Sequence, residues 1–194
     1  MKVVAFNGSP RAEGNTASMI KKVFEVLEKE GIECELVQIG GETIRGCQAC
    51  GKCKELQLGK CIFDDDIINS CIAKMIDADG IIIGSPTYFA SLSSETKALI
   101  DRCGYAARSS GNIFKRKVGV AVTAVRRAGA LNVFQAINNF YLISEMIVPG
   151  SVYWNLSIAR NPGEFEKDEE GIKTMQILGE NMVWLMKKIS ETEN

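Results

Sequence analysis

Short β-branched runs alternate with helical periodicity along this chain, and that alternation leaves few folds open. Val3–Phe6 is apolar and short, and residues 16–30 then place Met19, Ile20, Val23, Phe24 and Leu27 three and four apart. That spacing predicts an amphipathic helix ending at Gly31, with a second strand over Ile32–Ile39. Residues 40–66 show no periodicity. Regularity returns with a helix over Asp66–Asp77, a buried strand over Asp79–Gly84 built on Ile81-Ile82-Ile83, and a helix over Ser93–Tyr105. A fourth strand at Lys117–Thr123, a helix at Leu131–Met146 and a fifth strand at Ile147–Tyr153 follow. The polar connection Asn161–Asp168 leads to a terminal helix over about 169–189. Strands alternating with helices predict an α/β fold whose parallel sheet is covered on both faces. Five of them suit a doubly wound sheet of order 2-1-3-4-5, which takes ligands at the carboxyl ends of its strands. The expectation is a single domain over 1–194 with a cysteine-rich insertion at 40–66 after the second strand.

Composition removes several chemistries. There is no histidine among the 194 residues, which excludes a histidine general base, Ser-His-Asp and Cys-His nucleophiles, and His-ligated zinc. A net charge of −1 and pI near 5.7 give no electrostatic reason to bind nucleic acid or an acidic membrane. Met1-Lys2-Val3-Val4 runs straight into a strand, with no signal peptide and no apolar stretch near the ~20 residues that span a bilayer. A cytoplasmic location is expected. Seven cysteines, an odd number, argue in a reducing compartment against a disulfide framework and toward metal, redox chemistry or core packing.

The loop after the first strand reads Asn7-Gly8-Ser9-Pro10-Arg11-Ala12-Glu13-Gly14-Asn15-Thr16. Glycines let its backbone turn tightly, and the following helix start favours an anion. Ser9 and Thr16 offer hydroxyls, Asn15 an amide and Arg11 a planar fork. The loop ends in no Gly-Lys-Ser/Thr and is not Gly-x-Gly-x-x-Gly, so neither a P-loop nor the usual dinucleotide cradle applies. The same residues also fit a plain strand-to-helix turn capped by Asn15. Two further loops fall at neighbouring strand ends, Gly84-Ser85-Pro86-Thr87-Tyr88-Phe89 and Thr123-Ala124-Val125-Arg126-Arg127-Ala128-Gly129. A flat ring extending from an anion on the first loop would lie there, against Thr87, Tyr88 and the strand end at Thr123. Packing alone also accounts for Tyr88.

With Ser85-Pro86-Thr87-Tyr88 and Lys97…Asp101-Arg102, the chain resembles over its full length the NAD(P)H-dependent FMN reductase superfamily of flavodoxin-like proteins. The resemblance implies FMN, with Ser9, Arg11, Asn15 and Thr16 on its phosphate side and Pro86, Thr87, Tyr88 and Phe89 on its ring side. The chain departs from the family where relatives carry a glycine-rich stretch after the fourth strand.

Cys47-x2-Cys50-x2-Cys53-x7-Cys61 is the second strong signal. Four closely spaced thiolates suit one [4Fe–4S] cube, and the longer last gap lets all four serve one centre. Gly46, Gly51 and Gly59 supply a permissive backbone for such a wrap. A four-thiolate zinc site, free thiols and a Cys-x-x-Cys disulfide switch stay open on spacing alone. The pattern is similar to that of iron–sulfur flavoproteins, a branch of the same superfamily. That resemblance implies Cys47, Cys50, Cys53 and Cys61 as ligands, with Asp64-Asp65-Asp66 matching the acidic stretch that follows the last ligand. Cys34, Cys71 and Cys103 lie on apolar faces and read as buried core thiols.

The leading expectation is therefore an oxidoreductase moving electrons between a cluster, FMN and a small-molecule or ferredoxin-type partner. A clusterless NAD(P)H-dependent flavin or quinone reductase is the alternative, with Arg126 and Arg127 as candidates for the NADPH phosphate. A zinc-stabilised interaction protein is the third. The resemblance implies a homo-oligomer, for which Phe134–Trp154, with Phe140, Tyr141, Met146, Tyr153 and Trp154, is aromatic enough to supply an interface; core packing explains that segment equally well.

Overall fold

In the computed structural model, which describes residues 1–193, five parallel strands stand in the order β2-β1-β3-β4-β5. They are β1 (Lys2–Asn7), β2 (Glu33–Gln38), β3 (Gly80–Pro86), β4 (Val118–Val125) and β5 (Leu156–Ile158). The helices are α1 (Asn15–Lys29), the short α2 (Lys52–Glu55), α3 (Ile68–Asp77), α4 (Ser94–Ser109), α5 (Ala130–Ile143) and α6 (Glu169–Glu193). Register places Phe6 between Val37 of β2 and Ile83 of β3, and Ile83 beside Ala121 of β4.

The pleat sends alternate side chains to opposite faces. Val4, Phe6, Ile81 and Ile83 pack with Ile72 and Met75 of α3, Leu99 and Cys103 of α4, and Phe140 and Tyr141 of α5. Val3, Ala5, Ile82, Val120 and Val122 pack instead with Met19, Ile20 and Leu27 of α1 and Met182 of α6. Every residue of β3 and β4 is buried, which is why these strands read as unbroken apolar runs. Among the described residues, no helix is long and apolar enough to cross a membrane.

The fifth strand is not where the sequence pattern put it. Ile147 makes a single parallel bridge with Val118, and Pro149-Gly150 then ends the pairing, because proline has no N–H for a ladder. The chain regains the sheet at Leu156, opposite Thr123. β4 also runs two residues further than Thr123, and the 40–66 segment carries the single turn of α2. Of the late residues read as interface candidates, Phe140, Tyr141 and Met146 are core. Tyr153 and Trp154 remain about half exposed, their ring centroids 4.6 Å apart. Cys71 and Cys103 are buried as expected, whereas Cys34, on the edge strand β2, is only half-buried.

Close packing between α5 and β4 depends on one small residue. A Cβ on Gly119 would stand 2.6 Å from the ring of Tyr141, whose Oη donates to the Val120 carbonyl at 2.8 Å. The Tyr141 ring is fixed by that bond and cannot swing aside. Gly119→Ala is therefore expected to lower stability by about 1–3 kcal/mol through overpacking, measured as a fall in the urea midpoint at unchanged slope.

Candidate functional site

At the carboxyl edge of the sheet the loops after β1, β3, β4 and β5 enclose a cleft of about 160 Å3. The first loop is shaped from beneath. Asn7, buried at the end of β1, donates to Gln38 Oε1 at 2.7 Å and accepts from the Ser9 N–H at 3.1 Å. Gln38 in turn donates to the Ser9 carbonyl at 2.7 Å and to the Gly40 carbonyl at 2.6 Å. Gly8 passes so close to α4 and β3 that a Cβ there would lie 1.9 Å from Thr96 Oγ1 and 2.9 Å from the Gly84 carbonyl.

Gly14, not Asn15, is the N-cap of α1, and no side chain caps the helix. The first helical bond is Ser18 N–H to the Gly14 carbonyl at 3.1 Å, so the amides of Asn15, Thr16 and Ala17 have no intrahelical acceptor. The Asn15 side chain is engaged elsewhere: it donates to the Asn161 carbonyl at 2.9 Å and accepts from the Phe165 N–H at 3.2 Å. It thereby pins the loop after β5 to the loop after β1. Ser9 Oγ accepts from the Arg11 N–H at 3.2 Å, and Arg11 Nη1 donates to the Arg160 carbonyl at 3.2 Å.

Arg11, Arg126 and Arg160 line the cleft and no carboxylate does. The site is electropositive and supplies free N–H groups, the requirements of a phosphate. Ser9, Arg11, Asn15, Thr16, Pro86, Thr87 and Tyr88 all line it, so the sequence-predicted set from two separate loops is brought together. Phe89 does not line it. This residue sits fully exposed at the tip of a two-residue hairpin closed by Tyr88 and Ser91, with φ of 48° and 58° at Phe89 and Ala90. Thr123 is wholly buried one residue before Ala124, which does line the cleft. The buried hydroxyls of Thr87 and Thr123 have no hydrogen-bond partner among the described residues. Such orphans are costly unless a ligand or water engages them.

Ala159 and Arg160 were missed in the sequence because the strand that delivers them was placed some nine residues too early. The polar stretch after Ile158 is the signal that marks the true strand end.

The cysteines form a second centre. Cys47, Cys50, Cys53 and Cys61 line one hollow of about 20 Å3, together with Phe63, Arg102 and Tyr105 among others. Cys53 is buried on α2, Cys61 is half-buried, and Cys47 and Cys50 are exposed. Positive φ at Ala49 (51°), Gly51 (72°), Gln57 (50°) and Gly59 (64°) wraps the backbone around the hollow. The sulfurs share this hollow without meeting at one point: among the described residues no group of three or more His, Cys, Asp or Glu side chains is arranged to hold a metal ion. The donor set itself is purely thiol, with no carboxylate in the lining.

Two buried side chains fasten the loop. Asn69 of α3 accepts from the Cys61 N–H at 2.9 Å and donates to the Cys61 and Phe63 carbonyls at 3.0 and 3.1 Å. Arg102 of α4 donates to the carbonyls of Arg45 and Phe63 at 3.1 and 3.0 Å and is ion-paired with Asp66. Burial alone would raise the Asp66 pKa, but Arg102 and the N–H groups of Ile68 and Arg45 hold it below the usual carboxylate value. The acidic stretch is thus structural: Asp64 accepts from Asn69, Asp65 from Arg45 and Asp66 from Arg102.

Residues 1–161 match the model of the family described as NADPH-dependent FMN reductase. The chain is 37% identical to an iron–sulfur flavoprotein of Methanocaldococcus jannaschii, covering 98% of this chain and 100% of the relative. It is 34% identical to an iron–sulfur flavoprotein of Methanosarcina thermophila over 90% of each chain. Its fold is similar to that of RosB, solved with a bound 8-demethyl-8-formylriboflavin-5'-phosphate intermediate, at TM-score 0.77 and 19% identity over 100% of this chain and 82% of that one. A flavodoxin-type WrbA-like protein from Agrobacterium tumefaciens aligns at TM-score 0.65 and 18% identity over 96% and 97% of the two chains.

The seven thiols should separate by environment. Burial pushes Cys34 and Cys71 up to about 12 and Cys103 well above its ordinary value, which suppresses the reactive thiolate. In the metal-free chain at pH 8, peptide mapping after alkylation is expected to find Cys47 and Cys50 labelled first. Cys71 and Cys103 should label only after denaturation; their rapid labelling in the native chain would contradict this packing.

Proposed function

The chain belongs to the iron–sulfur flavoprotein branch of the NADPH-dependent FMN reductase family, and on that premise we propose that it passes electrons between a [4Fe–4S] cluster, FMN and an external partner. It is an FMN-dependent oxidoreductase. The observation that carries the cluster reading is that Cys47, Cys50, Cys53 and Cys61 all line one carboxylate-free hollow, a donor set that suits iron–sulfur ligation. When bound, FMN supplies one- or two-electron chemistry and the cluster supplies one-electron chemistry.

The protein's own residues bind, orient and exclude water. The amides of Asn15 and Thr16, the Ser9 and Thr16 hydroxyls and the Arg11 guanidinium serve the phosphate. Pro86, Thr87 and Tyr88 serve the ring, and the orphaned hydroxyl of Thr87 gains an acceptor or donor there, whereas Phe89 and Thr123, which do not line the cleft, have no part in it. Arg126, on the cleft wall, is placed to meet the phosphate of an NAD(P)H donor, whereas Arg127 does not line the cleft. The absence of histidine accords with chemistry that needs no side-chain proton relay. A small molecule or a ferredoxin-type protein is the external donor or acceptor. Self-association through exposed Tyr153 and Trp154 completes the assembly. A reducing cytoplasm suits thiolate ligation and the unpaired Cys34, Cys71 and Cys103.

Two measurements test the reading. Anaerobically isolated protein is expected to hold about four iron and four sulfide per chain. Stoichiometric zinc without iron, or neither metal, overturns the cluster. Arg11→Ala is expected to weaken FMN about 10- to 100-fold, the loss of one charge-assisted bond, while riboflavin, which lacks the phosphate, changes less than about threefold. Equal losses for both flavins would move Arg11 off the phosphate.

A further inference from the structure

One nitrogen of the Arg102 guanidinium, Nε, is without a partner among the described residues. The side chain is fully buried, and its Nη groups are taken up by Asp66, Arg45 and Phe63. An unsatisfied donor on a buried cation is costly, and native proteins rarely leave one without a use. Arg102 also lines the cysteine hollow, where it is the one charged side chain. Asp66, its carboxylate partner, does not line that hollow, so the cationic side of the pair faces the sulfurs.

Its charged form is secure. An arginine stays protonated in proteins, and the buried ion pair with Asp66 keeps the charge compensated. Cys61 also has its backbone N–H and carbonyl fixed by Asn69, so its position relative to α3 is set.

We propose that Arg102 is a positioning and tuning residue for the cluster: its Nη groups fasten the chain on either side of the four cysteines, and its Nε–H donates to sulfur at Cys61. The inference rests on the cluster reading above. Hydrogen bonds to sulfur and local positive charge both favour the more negative, reduced form of an iron–sulfur centre, so they raise its potential. No other charged side chain in the hollow can substitute for it.

The test uses the full-length chain with its cluster assembled anaerobically. Arg102→Lys keeps the positive charge opposite Asp66 but removes the Nε donor. A second variant, Arg102→Met with Asp66→Asn, removes both charges and so leaves no unpaired buried ion. Iron, sulfide and the unfolding midpoint are measured first, then the one-electron midpoint potential of the cluster. With about four iron per chain, both variants are expected to favour reduction about 10- to 100-fold less than the parent, a fall of about 59 mV per tenfold. A variant that keeps the parent's unfolding midpoint yet assembles no cluster supports the positioning half of the proposal. An unchanged potential in both loaded variants overturns it and leaves Arg102 a loop fastener. A parent chain that takes up no iron overturns the cluster reading itself, and this proposal with it.

Discussion

Two-sided burial of β1, β3 and β4 is the constraint from which the rest follows. A parallel sheet covered by helices on both faces leaves its strand ends as the places where backbone amides remain unpaired. Asn7 marks the transition. It is the last residue of β1, fully buried, and its side chain is spent on Gln38 and the Ser9 amide. The loop after β1 is therefore held from within the sheet, and its open donors face the cleft already ordered. A preorganised site of this kind costs little to close on an anion.

The insertion after β2 has no sheet to lean on; Cys53 and Ile44 pack against the core, and polar bonds fasten the rest. Asn69 and the Arg102–Asp66 pair come from two helices of one core layer and grip the backbone around Cys61 and ahead of Cys47. A buried ion pair adds little net stability, but losing either partner alone costs about 3–5 kcal/mol by stranding the other charge. Such a pair fixes one arrangement of a loop rather than making the whole chain stronger. That suits a segment in which four thiols line one hollow although two of them, Cys47 and Cys50, stand in solvent.

Much of this was legible in the residues. Ile81-Ile82-Ile83 and the three-and-four spacing after Thr16 carry the buried strand and the helix face, because burial imposes those periods directly, and the alternation of five strands with helices carries the sheet order. The four-cysteine spacing and the paired loops at Ser9 and Thr87 marked the two centres. β5 was misplaced because Ile147-Val148 has strand composition, and only the sheet shows that Pro149-Gly150 interrupts its pairing. That shift hid Arg160 from the cleft. Asn15 has the composition of a cap, yet its amide bridges to residues about 150 positions away, and local pattern carries no such information. Arg102 was visible only as part of a motif beside Asp101. Asp101 pairs with Lys97 on the exposed face of α4, whereas Arg102 turns inward, and the unpaired Nε became evident only from its surroundings.

The central claim is that one chain carries two redox centres. An anaerobic reductive titration of the purified protein, followed in the visible spectrum, measures the electrons accepted per bound flavin. The account predicts about three, two for FMN and one for the cluster. An end point at about two, with only flavin bands bleaching, would contradict it.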